Sequence, residues 1–121
     1  MMKTLLIVDD ERKICDVLSR FFESKGFQTS AVQSGREATD RLAAQQPDYL
    51  LLDVRMPDMS GLEVLRQAKA RYPELTVVMV SACSDPETVE EAFRYGAADY
   101  LTKPLALTDQ AWARAFFPAS S

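Results

Sequence analysis

Three short stretches of the chain are apolar without interruption: Leu5-Leu6-Ile7-Val8, Tyr49-Leu50-Leu51-Leu52 and Val77-Val78-Met79-Val80. A strand with one wet face alternates apolar and polar residues, so continuous runs this short predict strands buried on both faces. Between them the apolar residues recur at helical spacing. Ile14, Leu18 and Phe21 share one face, Leu62, Leu65 and Ala68 a second, and Val89, Ala92 and Phe93 a third. Ser34-Gly35-Arg36-Glu37 has the form of a capping box opening a helix, and Asp85-Pro86 offers an N-cap followed by proline at the first helical position. Gly26 and Gly96 stand where helices must stop and the chain reverse, which leaves weaker strands over about residues 27 to 32 and 98 to 102.

Five strands thus alternate with five helices, with no linker, repeat or low-complexity segment between them. That alternation predicts an α/β domain with a five-stranded parallel sheet and helices on both faces. Of the two common strand orders, 2-1-3-4-5 suits a chain with five strands, and its crevice lies at the carboxyl ends of strands 1 and 3.

Composition narrows the chemistry. At 121 residues, 47% of them hydrophobic, the chain suffices for one domain with its own core, residues 1 to 121, and leaves no room for a second. A net charge of −4 argues against a nucleic-acid surface, which needs clustered Lys and Arg. The apolar run after Met1-Met2-Lys3-Thr4 is too short for a signal-peptide core or a membrane span, so a cytoplasmic location without membrane contact is expected. Cys15 and Cys83 have neither the number nor the spacing of a disulfide framework or zinc site and read as two unpaired thiols. The chain has no histidine. That excludes a Ser-His-Asp triad, a Cys-His pair, histidine metal ligands and a phosphohistidine on this chain, leaving carboxylates, Lys, Ser or a hard metal ion.

Each expected strand ends in a polar residue on one edge of the sheet: Asp9 and Asp10 after strand 1, Asp53 after strand 3, Ser81 after strand 4, Lys103 after strand 5. Taken singly, Asp10 is more often a helix cap, Ser81 a turn residue and Lys103 a solvated charge. Asp53 is harder to dismiss, because a carboxylate ending so apolar a strand is partly desolvated and needs a partner. Three crowded carboxylates repel one another unless cations are supplied. Lys103 is one, and a divalent ion with oxygen ligands would supply the rest. Such a set suits phosphoryl transfer, which is mostly positioning and charge neutralisation, with a carboxylate as nucleophile.

Asp9-Asp10, then Asp53-Val54-Arg55-Met56-Pro57-Asp58-Met59-Ser60-Gly61, then Ser81-Ala82, then Lys103-Pro104 resembles the receiver domain of bacterial two-component response regulators. The resemblance covers roughly residues 3 to 107 and includes Tyr95-Gly96-Ala97-Ala98-Asp99-Tyr100-Leu101-Thr102. It implies a flavodoxin-like fold of receiver type and a phosphorylation-dependent switch rather than an enzyme with an external substrate. Asp53 would accept a phosphoryl group from the phosphohistidine of a sensor histidine kinase or histidine phosphotransfer protein. Mg2+ (or Mn2+) would be held by Asp10, Asp53 and the backbone carbonyl of Arg55, with Asp9 acting through water. Ser81 and Lys103 would contact phosphoryl oxygens, Ser81 and Tyr100 would move as a switch, and the bond before Pro104 would be cis. The surface of helix 4, strand 5 and helix 5 would then change shape, with a homodimer through that surface as a further implied partner.

The pattern departs from the family after Pro104. A last helix is expected over about residues 108 to 117, but Gln110 and Arg114 occupy positions where inward apolar groups belong, while Trp112 and Phe116 pair on another face. Either that helix is rotated or the chain end is altered, and residues 118 to 121 are expected to fray. Arg55 and Cys83 stand where this family tunes the lifetime of the acyl phosphate; otherwise they read as ordinary loop residues. Three other functions compete. A haloacid dehalogenase type phosphatase needs a second aspartate two residues after the nucleophile, where this chain has Arg55. A flavodoxin-like cofactor binder needs a Gly- or Ser/Thr-rich loop where this chain has Asp9-Asp10-Glu11. A pseudo-receiver, a protein-binding module whose site is never phosphorylated, differs by no residue visible in the sequence.

Overall fold

The computed structural model describes residues 2–116, and in it the chain runs β1 (Thr4–Val8), α1 (Arg12–Ser24), β2 (Gln28–Val32), α2 (Gly35–Ala44), β3 (Tyr49–Asp53), α3 (Gly61–Arg71), β4 (Thr76–Ser81), α4 (Pro86–Arg94), β5 (Asp99–Thr102) and α5 (Asp109–Trp112). The strands form one parallel sheet, as the alternation predicts, and their order is β2-β1-β3-β4-β5, the one of the two common orders that suits five strands.

The continuous apolar runs follow from burial of both faces. Because successive side chains point to opposite faces, Leu5, Ile7, Leu51, Val78 and Val80 pack with Cys15, Leu18 and Phe22 of α1 and with Trp112 and Phe116. Leu6, Val8, Leu50, Leu52, Val77 and Met79 pack instead with Ala38 and Leu42 of α2, Val64, Leu65 and Ala68 of α3, and Ala92 of α4. The apolar residues of β1, β3 and β4 therefore divide between two cores, one on either side of the sheet, while the edge strand β2 exposes Gln28 and Ser30.

The helix ends are set by local chemistry. Ser34 Oγ accepts the Glu37 N–H at 3.1 Å, and a carboxylate oxygen of Asp85 accepts the Thr88 N–H at 3.2 Å ahead of a helix that begins at Pro86. Gly26 and Gly96 follow α1 and α4 with φ of 92° and 104°, values that L side chains rarely adopt.

Helical faces are offset from those expected. Cys15, Leu18 and Phe22 are the deeply buried residues of α1, with Ile14 and Phe21 only partly covered. In α4 Ala92 is buried and Thr88, Val89 and Glu91 are half-buried, with Tyr95 at the cap, so of the expected face only Phe93 departs; it is 42% exposed rather than inward. Cys15 and Cys83 are both free thiols. Among the described residues, no helix is long and apolar enough to cross a membrane.

The last helix is a single turn, Asp109–Trp112, and shorter than the span 108 to 117 expected from spacing. Gln110 and Arg114 are exposed. Trp112 and Phe116 take the inward positions, their ring centroids 5.3 and 4.7 Å from that of Phe22, and the indole N–H of Trp112 donates to the Ala106 carbonyl at 2.8 Å. The aromatic pair thus replaces the aliphatic face that the 110 and 114 positions lack. The end of that expected helix at residue 117 and the tail 118 to 121 lie outside the described residues.

Candidate functional site

Strand phase sorts the polar residues at the carboxyl edge into two groups. Asp9, Asp53 and Lys103 continue the phase of Ile7, Leu51 and Leu101, on the α1 side of the sheet. Ser81 continues the phase of Val77 and Met79, and Tyr100 packs against that same opposite core. The charged set and the hydroxyl pair are therefore brought to one edge from two faces.

Lys103 joins the carboxylates. Its Nζ donates to Asp9 Oδ2 at 2.9 Å and to Asp53 Oδ2 at 3.2 Å, with Glu11 Oε1 at 3.8 Å. Asp9 and Asp53 are buried, at 1% and 4% exposure, while Asp10 is exposed. The remaining oxygens are held by the turns that follow each strand: Asp9 Oδ1 accepts the Glu11 N–H at 2.9 Å, and Asp53 Oδ1 accepts the Arg55 N–H at 3.2 Å. The Lys103–Pro104 bond is cis, as expected.

One ammonium does not balance this cluster. Burial, and then the charge of Asp9, push the Asp53 carboxyl above its ordinary range despite the opposing pull of Lys103. Burial by itself would lower Lys103, but its hydrogen bond to Asp9 and the charges of Asp53 and Asp9 outweigh that and raise it. Carboxylate oxygens of Asp9, Asp10 and Asp53 lie within 4.8 Å of one another. An all-oxygen, anionic donor set with residual negative charge fits a hard divalent cation. Both oxygens of Asp9 and both of Asp53 accept from protein donors, so the exposed Asp10 is the carboxylate of the three most open to an ion.

The segment after Asp53 is tightly closed. The Gly61 N–H donates to the Val54 carbonyl at 2.7 Å, and a Cβ at Gly61 would lie 2.0 Å from the Asp53 carbonyl oxygen. Any side chain there would displace the backbone of Asp53 itself.

On the other face, Ser81 is fully buried and its Oγ accepts the Cys83 N–H at 3.0 Å. Burial raises the Tyr100 phenol above its ordinary value, and the nearby Ser81 hydroxyl opposes that shift. Two features were missed from the sequence. One is an apolar groove beside Lys103, lined by Ile14, Val17, Leu18, Pro104, Leu105 and Leu107; exposed Val17 on α1 was its only sequence signal. The other is Asp58, whose carboxylate reaches α2 and which no local pattern marks.

Comparison with known proteins agrees with this geometry. The family model for the response regulator receiver domain matches residues 5–111. The chain is 42% identical over 111 residues to the DNA-binding transcriptional regulator NtrC of Klebsiella pneumoniae, covering 87% of this chain and 24% of that protein. It is 38% identical over 105 residues to the regulatory protein AtoC of Escherichia coli K12, covering 87% and 23%. The chain thus spans about a quarter of the length of these curated relatives. Among solved structures, a CheY-like response regulator receiver domain protein from Methanospirillum hungatei superposes with a TM-score of 0.87 at 27% identity, covering 91% of this chain and 88% of that one. The BeF3-activated DrrB receiver domain superposes with a TM-score of 0.82 at 31% identity, covering 88% and 89%.

Proposed function

The chain belongs to the response regulator receiver domain family, and on that premise we propose that Asp53 accepts a phosphoryl group from a partner's phosphohistidine and that the resulting charge switches the surface of α4, β5 and α5. The observation that carries this reading is the bridging of Asp9 and Asp53 by Lys103, with Asp10 close enough to complete an oxygen cage.

In the transfer, a carboxylate oxygen of Asp53 forms a bond to phosphorus. The P–N bond to the partner's imidazole breaks, and its electron pair leaves with the imidazole nitrogen. Mg2+ (or Mn2+) held by Asp10, Asp53, the Arg55 backbone carbonyl and, through water, Asp9 would supply positive charge against the acceptor and phosphoryl oxygens. Lys103 stays beside Asp53 and pairs with one phosphoryl oxygen, while the Ser81 hydroxyl donates to another. The apolar groove adjoining Lys103 gives a helix of the histidine-bearing partner a surface on which to dock near Asp53. Phe93, exposed on α4, gives the switched surface an apolar contact for a downstream partner or a second copy of the chain. The switch acts in the cytoplasm, where the donor's kinase domain resides.

The test is labelling with acetyl phosphate and Mg2+. Wild type should take up one base-labile phosphate at Asp53, and Asp53→Asn none. Uptake by Asp53→Asn at the wild-type rate would refute the acceptor assignment, and no uptake by wild type would favour a protein-binding module that is never phosphorylated.

A further inference from the structure

The first turn of α2 is capped from two directions. Ser34 takes the Glu37 N–H locally, whereas the N–H groups of Gly35 and Arg36 both donate to Asp58, at 3.0 Å to Oδ1 and 2.9 Å to Oδ2. Asp58 is exposed and lies in the segment between β3 and α3. Arg36 is exposed and water would satisfy its amide, whereas Gly35 is buried and its amide relies on this carboxylate from a distant part of the chain. The contact ties the β3–α3 segment to α2.

Met59 reinforces the tie. A Cβ at Gly35 would lie 2.2 Å from Met59 Cγ and 2.8 Å from its Sδ, so the Met59 side chain occupies the space that glycine leaves on the helix. At its other end the same segment is closed by the Gly61 N–H bond to Val54 and by the close approach of Gly61 to the Asp53 carbonyl. Arg55 lies between these two anchors. With only the Gly61 end fixed, residues 55 to 60 would retain much of their backbone freedom, and ordering them would have to be offset when the site is loaded.

Resting on the reading of Asp53 as a phosphoacceptor, we propose that Asp58 is a positioning residue. By bridging Gly35 and Arg36 of α2, it holds the segment that carries Arg55 in the shape the cation site requires. It touches neither the phosphoryl group nor the ion. Helix α2 becomes the fixed wall against which the loop is set, and loading of the site becomes sensitive to loss of the Asp58 bridge to that wall.

Ser34→Ala is the discriminating control, because it removes a cap from the same helix without touching the loop. Calorimetric titration with Mg2+ should show binding to Asp58→Ala weaker by roughly 3- to 10-fold, at or below the low end of losses from groups that orient metal ligands directly. Asp58→Asn should fall between wild type and Asp58→Ala, because its one oxygen keeps one of the two bonds, and it carries the test if the alanine variant does not fold. Ser34→Ala should bind as wild type does. In the metal-free protein, amides of residues 55 to 60 should exchange faster in Asp58→Ala and not in Ser34→Ala. Unchanged Mg2+ affinity in Asp58→Ala, or an equal loss in Ser34→Ala, overturns the proposal. Should the wild type itself bind no Mg2+, the reading of the acidic site fails, and the metal-free exchange decides: faster exchange over 55 to 60 in Asp58→Ala alone sustains the positioning role, and unchanged exchange overturns it.

Discussion

The hydroxyl of Tyr100 donates to the carbonyl of Cys83 at 2.6 Å. The N–H of the same Cys83 donates to Ser81 Oγ, so this residue is held on one side by β5 and on the other by the end of β4. A displacement of Ser81 toward Asp53 would pull on the group that anchors the Tyr100 ring. Tyr100→Phe keeps the ring and deletes only the anchor. It should cost about 0.5–1.5 kcal/mol in urea unfolding, the usual net worth of one such bond, and speed amide exchange over residues 82 to 85. Unchanged exchange there would show that the ring does not restrain the loop.

The legible parts of this fold were those decided by neighbours in sequence. Leu50-Leu51-Leu52 announces a doubly buried strand because every alternate residue needs its own core, and Ser34 and Asp85 mark helix starts because their acceptors lie three residues away. The acidic site was legible for a related reason: in a parallel sheet the carboxyl ends of all strands lie on one edge, so Asp9, Asp53, Ser81 and Lys103 converge wherever the boundaries fall. Tertiary pairings left no such trace. Asp58 meets Gly35 across a sequence separation of 23, and nothing near either residue encodes it. Phe93 misleads because it satisfies helical periodicity with Val89 and Ala92, yet the covered face of α4 extends from those two toward Thr88 and Glu91 and leaves Phe93 outside.

The cation site can be separated from folding. Asp10 is exposed and belongs to a cluster of like charges, so Asp10→Asn deletes a ligand while relieving repulsion. Metal-free Asp10→Asn should unfold at the wild-type urea concentration or above it. Mg2+ at 100 times its dissociation constant should stabilise wild type by about 2.7 kcal/mol through mass action, and the variant at that same concentration far less. Equal stabilisation of both proteins would remove Asp10 from the site.

Asp58 should impose a pH dependence of its own. The N–H groups of Arg36 and then Gly35 hold its carboxyl below the ordinary value of 3.8, so the folded protein binds this proton less readily than the unfolded chain. Its contribution to stability is therefore complete above that value and is lost as pH falls through the depressed folded one. The stability difference between wild type and Asp58→Asn should shrink on acidification below about pH 4. An NMR titration of the Asp58 carboxyl with a midpoint at or above 3.8 would contradict the cap.

Trp112 tests how the short α5 is held. Its ring is 1% exposed, set edge-on to Phe22, and its N–H occupies the Ala106 carbonyl. Trp112→Ala should cost about 3–5 kcal/mol, as for other buried aromatics truncated to alanine. A loss below about 1 kcal/mol, within the range of ordinary surface changes, would mean that the segment from Thr108 to Phe116 contributes little to the α1-side core.

The final prediction concerns how charge at Asp53 reaches the surface. A phosphoryl group adds about −1.5 to −2 units of charge and three acceptor oxygens. Lys103 already touches Asp53, so it can respond with little movement. Ser81 is different: it lies on the opposite face of the sheet from Asp53 and its Oγ accepts the Cys83 N–H, so a Ser81 that moves to donate its own O–H to a phosphoryl oxygen takes the start of the β4–α4 loop with it. That shift carries Cys83, and Tyr100 with it, which alters the ground on which α4 rests. A ligand can bias such an equilibrium only through contacts that differ between the two states, and the Ser81 hydroxyl supplies that difference. Ser81→Ala should therefore still take up phosphate, or its mimic beryllofluoride, at Asp53 while failing to transmit it. The measurement is amide exchange over residues 85 to 112 with and without beryllofluoride: wild type should respond across α4 and β5, and Ser81→Ala should not. Identical responses in the two proteins would sink the Ser81 to Tyr100 coupling and leave the acceptor at Asp53 untouched.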